Sequence, residues 1–142
     1  MKLLLSVFFI FPLFLFSQSF EKGEKLYIDK KYDQAQPILE NYLKSNPSHL
    51  KTIEYLGDIA GQDKSWDKCI GYYKKLKTLK PNEANYYYKY GGALGMKSLE
   101  VNKFKALGMI GEVRSSFEKA IALNPKHIEA RWALIELNLQ LP

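Results

Sequence analysis

The sequence predicts an all-α protein built from repeated pairs of helices, and two observations carry this prediction. The first is a period of 34 residues: Gly23, Gly57 and Gly91 follow one another at this distance, and so do Pro47 and Pro81. The second is the spacing of apolar residues within each period, at steps of three and four, which places them on one face of a helix. Because a fixed period of this length is typical of stacked repeats, it decides the architecture before any single element is assigned.

Each predicted unit is a helix, a tight turn, a second helix and a proline break. In the second unit, apolar residues at helical spacing predict a first helix around residues 53–60 and a second helix from Trp66 to Leu79. Gly61 is predicted to end the first of these helices, and Asp63 or Ser65 to cap the next. A proline then stops the second helix, because proline lacks the amide hydrogen that a helix needs and restricts the residue before it.

The third unit is longer. Its segment from Gly91 to Pro125 spans 34 residues, whereas the corresponding segment of each earlier unit spans 24. The ten extra residues fall near residues 95–108, and the apolar spacing before Pro125 predicts that they lengthen the second helix at its N-terminus, with Asn102 as its cap. The insertion is either a solvated spacer helix or a projecting basic docking element, since insertions in such arrays often serve binding.

The last predicted helix, residues 128–141, carries two apolar stripes where one would suffice. One stripe can pack on the preceding helix pair, but the other has no second helix of its own in this chain, and terminal repeats normally present a polar outer face. We therefore expect either a fragment of a longer repeat protein or self-association through this helix. The first stripe is Ile128, Trp132, Ile135 and Leu139, and the second is Ala130, Leu134, Leu137 and Leu141.

These features resemble the tetratricopeptide repeat (TPR), a 34-residue helix-turn-helix with a Leu-Gly pair, a small residue in its second helix and a closing proline. The matching residues are the pairs Leu56-Gly57 and Tyr90-Gly91, the small residues Ala35, Cys69 and Ala120, and the prolines Pro47, Pro81 and Pro125. The resemblance implies about three and a half units stacked as a right-handed α-solenoid over residues 20–142. The units are about 20–49, 50–83 and 84–127, followed by the lone helix 128–141.

The N-terminus has the pattern of an export signal. Met1 and Lys2 precede an uncharged, mostly apolar run through Phe20, and Ser17 and Ser19 form a small, polar exit. We predict a signal peptide over residues 1–19, and hence a periplasmic or secreted protein. The alternative is an uncleaved membrane anchor through residues 3–20, although this run is short for a membrane span.

Composition and motifs argue against catalysis. The 142 residues contain one Cys and two His, which cannot form an internal disulfide or a zinc finger. No phosphate loop, metalloprotease motif or nucleophile elbow is present. His49 and His127, each two residues after a closing proline, are expected to be surface residues, and Cys69 a small buried one. We predict a non-catalytic protein with no cofactor and no metal site. The alternative is an accessory segment of a larger enzyme.

The resemblance also implies a binding surface, because the first helices of TPR units line the concave groove that holds a peptide or a helix. The residues predicted to face this groove are Glu24, Tyr27, Glu54, Asp58, Tyr88, Gly92, Trp132 and Glu136. Acidic side chains among aromatic ones suit a protein partner that carries Lys or Arg. The other interpretation is that the acids only solubilise the chain and the tyrosines pack between helices.

The net charge of +6 is concentrated elsewhere. Lysines crowd the second helices and the insertion: Lys74, Lys75, Lys77, Lys80, Lys97, Lys103 and Lys105. This basic surface predicts at most a weak contact with anionic envelope lipids or polysaccharide, and so an alternative role as a membrane-surface-associating module. With the positive charge on an outer face of an exported protein, nucleic acid is not an expected partner.

Overall fold

A computed structural model describes residues 11–140, with side chains from residue 19, and these residues form seven α-helices. The predicted all-α class is confirmed. The helices are α1 (Phe11–Ile28), α2 (Tyr32–Ser45), α3 (Leu50–Gln62), α4 (Trp66–Leu79), α5 (Ala84–Ser98), α6 (Lys103–Leu123) and α7 (Ile128–Gln140). Residues 1–10 of the predicted export signal lie outside the described residues. Among the described helices, none combines the length and the apolar character that a membrane crossing requires.

The turns after α1 and α3 follow one pattern, and it differs from the predicted one. Gly61 lies inside α3 and does not end it. The left-handed residue is instead Lys64, with φ 56°, and its amide and that of Ser65 donate to the carbonyls of Gly61 and Ala60. Lys30 repeats this arrangement after α1, with φ 58°. Both turns are Schellman motifs in which lysine stands at the position that usually holds glycine.

The predicted N-caps of α4 are also corrected. Asp63 is the first residue of the turn and is not the N-cap of α4, and Ser65 occupies the N-cap position without a capping hydrogen bond from its side chain. The turn is therefore held by backbone hydrogen bonds, and the hydroxyl of Ser65 does not contribute to it.

The proline breaks lie where the sequence places them. Helices α2, α4 and α6 end at the C-caps Asn46, Lys80 and Asn124, and each C-cap is followed by a proline. In all three the amide of the C-cap still donates to the carbonyl four residues earlier. The helices thus close their last turn before proline prevents a further one.

The ten extra residues of the third repeat are mostly helical. α6 has 21 residues where α4 has 14, α5 has 15 where α3 has 13, and the turn between them has four residues where its counterpart has three. Asn102 is the N-cap of α6, as predicted: its side-chain oxygen accepts a hydrogen bond from the amide of Lys105 at 3.0 Å. Most of the insertion is therefore an extension of α6 at its N-terminus.

The chain divides into two compact units, one ending at Ile59 and the other beginning at Ala60, so the division falls inside α3. In the first unit α1 packs on α2. Its most buried side chains include Ala35 and Leu39 of α2, together with Ile53, Leu56 and Ile59 of α3.

In the second unit α4, α5, α6 and α7 pack consecutively. Its core contains Tyr73 and Leu76 of α4, Tyr90 of α5, and Val113 and Phe117 of α6. The predicted small positions Ala35, Cys69 and Ala120 are all buried.

Glycine is required where paired helices approach closely. A Cβ at Gly91 would lie 2.9 Å from both the Phe117 ring and the Ser116 Cβ, and one at Gly23 would lie 2.7 Å from Leu39 Cδ2. Such distances are shorter than real Cβ contacts, so a methyl group at Gly91 would push α5 and α6 apart, and one at Gly23 would displace the Leu39 side chain. The 34-residue glycine period thus reflects the packing of α5 on α6 and of α1 on α2.

Candidate functional site

Four of the predicted groove residues belong to the first unit, and three of them take part in a cluster that we call the α1–α3 face. It consists of Glu24, Tyr27, Lys51, Tyr55 and Asp58. The carboxylate of Glu24 accepts hydrogen bonds from the Tyr55 hydroxyl at 2.7 Å and from the Lys51 ammonium at 2.9 Å. The Tyr27 hydroxyl donates to Asp58 at 2.9 Å. The fourth residue, Glu54, is half-buried on α3.

These contacts fix the protonation states of the α1–α3 face. The hydrogen bonds from Tyr55 and Lys51 lower the pKa of Glu24, so this carboxylate is ionised at neutral pH. Burial, with the hydrogen bond to Asp58, raises the pKa of Tyr27 above its usual range, and burial, with the hydrogen bond to Glu24, raises that of Tyr55. The two phenols therefore remain protonated donors, and the acceptor of Tyr55 is the ionised carboxylate of Glu24.

Aromatic rings fill the rest of this face. The rings of Tyr27 and Tyr55 stack with centroids 4.0 Å apart, and Phe20 contacts the ring of His49 edge-on at 4.6 Å and that of Tyr42 at 5.3 Å. Such contacts stabilise the packing beyond the area they bury. Acidic and aromatic side chains come together on this face, and they form hydrogen bonds and stacking contacts with one another.

The other predicted groove residues belong to the second unit, where three of them line an open cavity of about 600 Å³. We call this cavity the α5–α7 cleft. Tyr88 and Gly92 lie on α5, and Glu136 lies on α7. Most of the remaining wall is apolar and comes from α5, α6 and α7. Its apolar residues are Met96, Leu99, Ala106, Leu107, Ile110, Val113, Phe117, Ala133 and Leu137, and its polar residues include Lys103 and Gln140.

The cleft is open because of two sequence features. A Cβ at Gly92 would meet no atom within 4 Å, so the absence of a side chain leaves space along α5. The extension of α6 carries the apolar face of that helix past its packed part: Val113 and Phe117 are buried, whereas Leu107 and Phe104 are largely exposed. The insertion, predicted as either a spacer or a basic element, therefore contributes an apolar wall.

Trp132 is the predicted groove residue that does not line the cleft. It lies on α7 with 61% of its surface exposed, in the stripe that also contains Ile128, Ile135 and Leu139. The opposite stripe is the one that packs: Ala130 is fully buried, and Leu134 and Leu137 are half-buried.

Two lysines of the predicted basic surface contact other side chains of the chain, and the remaining five are exposed to solvent. Lys97 donates to Asp67 at 2.6 Å, and the ammonium of Lys77 lies 3.6 Å from the ring centroid of Tyr90, where burial lowers its pKa. These two side chains hold α4 and α5 together and do not extend a basic strip. The exposed members are Lys74, Lys75, Lys80, Lys103 and Lys105.

The prediction that both histidines are surface residues is wrong. His127 is buried, with 9% of its surface exposed, and His49 is half-buried, so neither is a surface residue. The Nδ1 atoms of His49 and His127 each accept the backbone amide three residues on, from Thr52 and Ala130, at 3.3 Å. They are the N-caps of α3 and α7, a role that Ser, Thr or Asp usually fills. Their common position, two residues after a closing proline and directly before a helix, is the sequence signal that indicates this role.

The described residues show no group that could bind a metal. Within residues 19–140, His, Cys, Asp and Glu side chains nowhere gather in threes at a distance suitable for a metal ion.

Solved structures resemble this chain in fold. A thermophilic TPR protein of Thermus thermophilus superposes with a TM-score of 0.73 at 18% identity over 87% of this chain, which spans 64% of that protein. The first TPR of Spaghetti (RPAP3), bound to the HSP90 peptide SRMEEVD, gives 0.71 at 18% identity, covering 87% of this chain and 90% of the other.

The Yersinia enterocolitica type III secretion chaperone SycD, in complex with a peptide of the translocator YopD, gives a TM-score of 0.72 at 15% identity, covering 87% and 92%. No protein-family model and no curated protein matches the sequence. The structural matches show that the chain has the TPR fold, as the 34-residue period predicts.

Proposed function

We propose that this chain, with its tetratricopeptide fold, is a non-catalytic scaffold that binds another protein by holding a peptide or helix in the α5–α7 cleft. The observation that carries the proposal is the cleft itself: an open cavity of about 600 Å³ with a mostly apolar wall, bordered by the exposed side chains of Met96, Leu99 and Leu107. Exposed apolar surface gathered in a concavity is typical of a ligand or protein-binding site.

The structural neighbours support a peptide as the ligand. The Spaghetti TPR is bound to an HSP90 peptide, and SycD to a peptide of YopD. Both superpose on most of this chain, so the fold is one that holds peptides in other proteins. A helix or an extended segment with two or three apolar anchors would fit a cleft of this volume.

The charge of the partner follows from the acids that are still available. Glu24 and Asp58 already accept hydrogen bonds within the first unit, and Lys51 compensates the charge of Glu24. Glu136 lines the cleft and forms no ion pair among residues 19–140. We therefore assign the preference for a basic residue to Glu136, which would pair with a Lys or Arg beside the apolar anchors.

The test fills the cleft without disturbing the fold. A library of displayed peptides is selected on the full chain, and the affinity of the enriched peptides is then measured for two variants, Gly92→Leu and Gly71→Leu. At both positions a new side chain meets no protein atom at its Cβ, but Gly71 lies on α4, outside the cleft wall. Gly92→Leu should weaken binding about tenfold or more, since it occupies the space of an anchor, and Gly71→Leu should not.

The binding of the enriched peptides to the three proteins decides whether the cleft is the binding site. Enriched peptides with shared apolar anchors, bound by the wild type and the Gly71 variant but not by the Gly92 variant, support the proposal. Peptides that bind all three proteins equally, or no enrichment at all, would overturn it.

We further propose that the scaffold acts outside the cytoplasm, in the periplasm or the secreted space. The support is the sequence pattern of residues 1–19, whose short basic start, apolar run and small-residue exit are typical of a signal peptide. Mass spectrometry of the chain purified from its native cell tests this. A mature N-terminus near Ser17 or Ser19 supports export with cleavage, and an intact Met1 contradicts the cleavage.

A further inference from the structure

The outer stripe of α7 is an apolar surface that no element among the described residues covers. Its four residues are exposed to 63% (Ile128), 61% (Trp132), 48% (Ile135) and 80% (Leu139). At 100° per residue they fall within an arc of about 60°, so they form a narrow, continuous line along the helix. Exposure of four large apolar side chains in one line is unusual for a surface that faces only water.

The spacing within this stripe is that of a coiled-coil seam. The intervals of four, three and four residues place Ile128 and Ile135 at d positions and Trp132 and Leu139 at a positions of a heptad repeat. This alternation favours packing against a helix with the same repeat. Ile at d and Leu at a are also found in larger helix bundles, but α7 already packs on α6 within its own chain, which favours one partner helix at the narrow seam. The seam is also distinct from the cleft wall, to which α7 contributes Ala133, Glu136, Leu137 and Gln140.

The charges that flank the seam indicate the identity and direction of that second helix. Arg131 falls at a g position, and Glu129 and Glu136 fall at e positions. In a parallel pair of identical helices, g of one helix lies beside the following e of the other, which brings Arg131 next to Glu136 twice. In an antiparallel pair e positions face e positions, which brings Glu129 next to Glu136 and opposes like charges.

Both partners of this ion pair are available. Arg131 is exposed, and among residues 19–140 its side chain donates through Nε to the carbonyl of Pro125 at 2.8 Å, which leaves its two terminal NH₂ groups for another acceptor. Glu136 is exposed as well. The opposite stripe of α7 packs on α6 through Ala130, which leaves the seam side clear for another chain.

We propose that two copies of this chain pair through α7 as a short parallel coiled coil, with Ile128, Trp132, Ile135 and Leu139 in the seam and two Arg131–Glu136 ion pairs across it. The seam lies on the side of α7 next to the cleft and does not require a bound peptide, so the pairing goes beyond peptide binding. The two proposals share Glu136, which borders both surfaces, and a basic residue of a peptide would compete with Arg131 for it. With only four apolar layers, association is weak and reversible.

Sedimentation equilibrium of the full chain, across the micromolar to millimolar range and without peptide, tests the proposal. The wild type should dimerise with rising concentration, and Ile135→Glu should stay monomeric, since it places a carboxylate in the seam. Ile135 is about half-exposed, so this change costs little folding stability, which far-ultraviolet circular dichroism would verify. A wild type that remains monomeric throughout would overturn the proposal.

Charge variants then decide the direction of pairing. In the parallel dimer Glu136→Arg opposes Arg131 and should weaken association about tenfold, and the double variant Arg131→Glu with Glu136→Arg should restore it. In an antiparallel dimer Glu136→Arg would instead attract Glu129 and tighten association, which would overturn the parallel arrangement. Since these readouts need no ligand, their failure is distinguishable from a failure of the peptide-binding proposal.

Discussion

The α1–α3 face and the α5–α7 cleft contain residues at the same position of the 34-residue repeat, but these residues have opposite effects on the local surface. Glu24, Asp58 and Gly92 follow one another at 34 residues. The first two are carboxylates that accept hydrogen bonds from tyrosines of the first unit, whereas the third has no side chain and leaves a cavity. A repeat position that is predicted to face the groove can therefore either strengthen the unit or open a cavity, depending on one side chain.

The repeat position one residue earlier differs from this one, because it holds glycine in both units. Gly23 and Gly91 also correspond, and at both of them a Cβ would collide with the second helix of the pair. Packing thus keeps glycine at one position, while the next position varies with the role of the unit. Gly91 and Gly92 are adjacent in sequence, yet the first is required by the fold and the second by the cleft.

The largest expected effect tests this contrast at Gly91. Gly91→Ala should destabilise the chain by about 2 kcal/mol, because overpacking against Phe117 and Ser116 outweighs the gain in helix propensity. Gly23→Ala should cost less, since the nearest atoms belong to the end of a single leucine side chain. Urea unfolding followed by circular dichroism measures both changes.

Gly71→Ala is the matched control for these two variants, because its Cβ would meet nothing within 4 Å. It should be neutral or stabilise by up to about 1 kcal/mol through helix propensity. If Gly91→Ala stabilised the protein as much as this control, the close approach of α5 and α6 at Gly91 would be contradicted.

The next effect tests whether the acids of the α1–α3 face serve the fold. Tyr55→Phe removes the donor to Glu24 and should cost about 1 kcal/mol, since the acceptor is charged but the pair is only part-buried. In a double-mutant cycle with Glu24→Gln, the two changes should be non-additive. Tyr32→Phe is the control, because the Tyr32 ring packs on Tyr27 and its hydroxyl forms no hydrogen bond among residues 19–140. Additive costs would show that the two residues do not interact.

The sequence predicts the helices well because their signals are local. The proline breaks, the Asn102 cap and the burial of Ala35, Cys69 and Ala120 follow from spacing and residue type over a few turns. What it could not predict depends on contacts between distant residues. Tyr55 lies 31 residues from Glu24, and nothing in the pattern indicates that the two meet.

The same limit applies to α7. A period of 3.6 residues identifies both apolar stripes of this helix but not the one that packs, because that choice depends on where α6 lies. The left-handed lysines are a further case. Glycine is the usual residue in that conformation, so the sequence predicts Gly61 as the end of the helix, whereas the chain places Lys64 there.

A smaller effect is the dependence of stability on pH in the first unit. The pKa of Glu24 is lowered in the folded chain, so its contribution is present above the unfolded value, near 4.5, and is lost as pH falls through the lower folded value. The wild type should therefore lose more stability than Glu24→Gln between neutral pH and about pH 3, by less than about 1 kcal/mol, since the pair is near the surface. Urea midpoints at several pH values measure this. Parallel curves for the two proteins would contradict the role of the Glu24 carboxylate.

The smallest effect concerns a feature that both units share. Lys30 and Lys64 end α1 and α3 in the left-handed conformation, which costs a residue with a side chain about 1 kcal/mol relative to glycine. Lys30→Gly and Lys64→Gly should each stabilise the chain by about 0.5 kcal/mol, because glycine adopts this conformation freely but loses more entropy on folding. The control is Lys68→Gly inside α4, which should destabilise by about 1 kcal/mol. If both variants raise the free energy of unfolding by the same amount, the turns at residues 30 and 64 are equivalent. The two units would then share the packing of one repeat and differ at their groove positions. Destabilisation at both would contradict the Schellman geometry assigned to these turns.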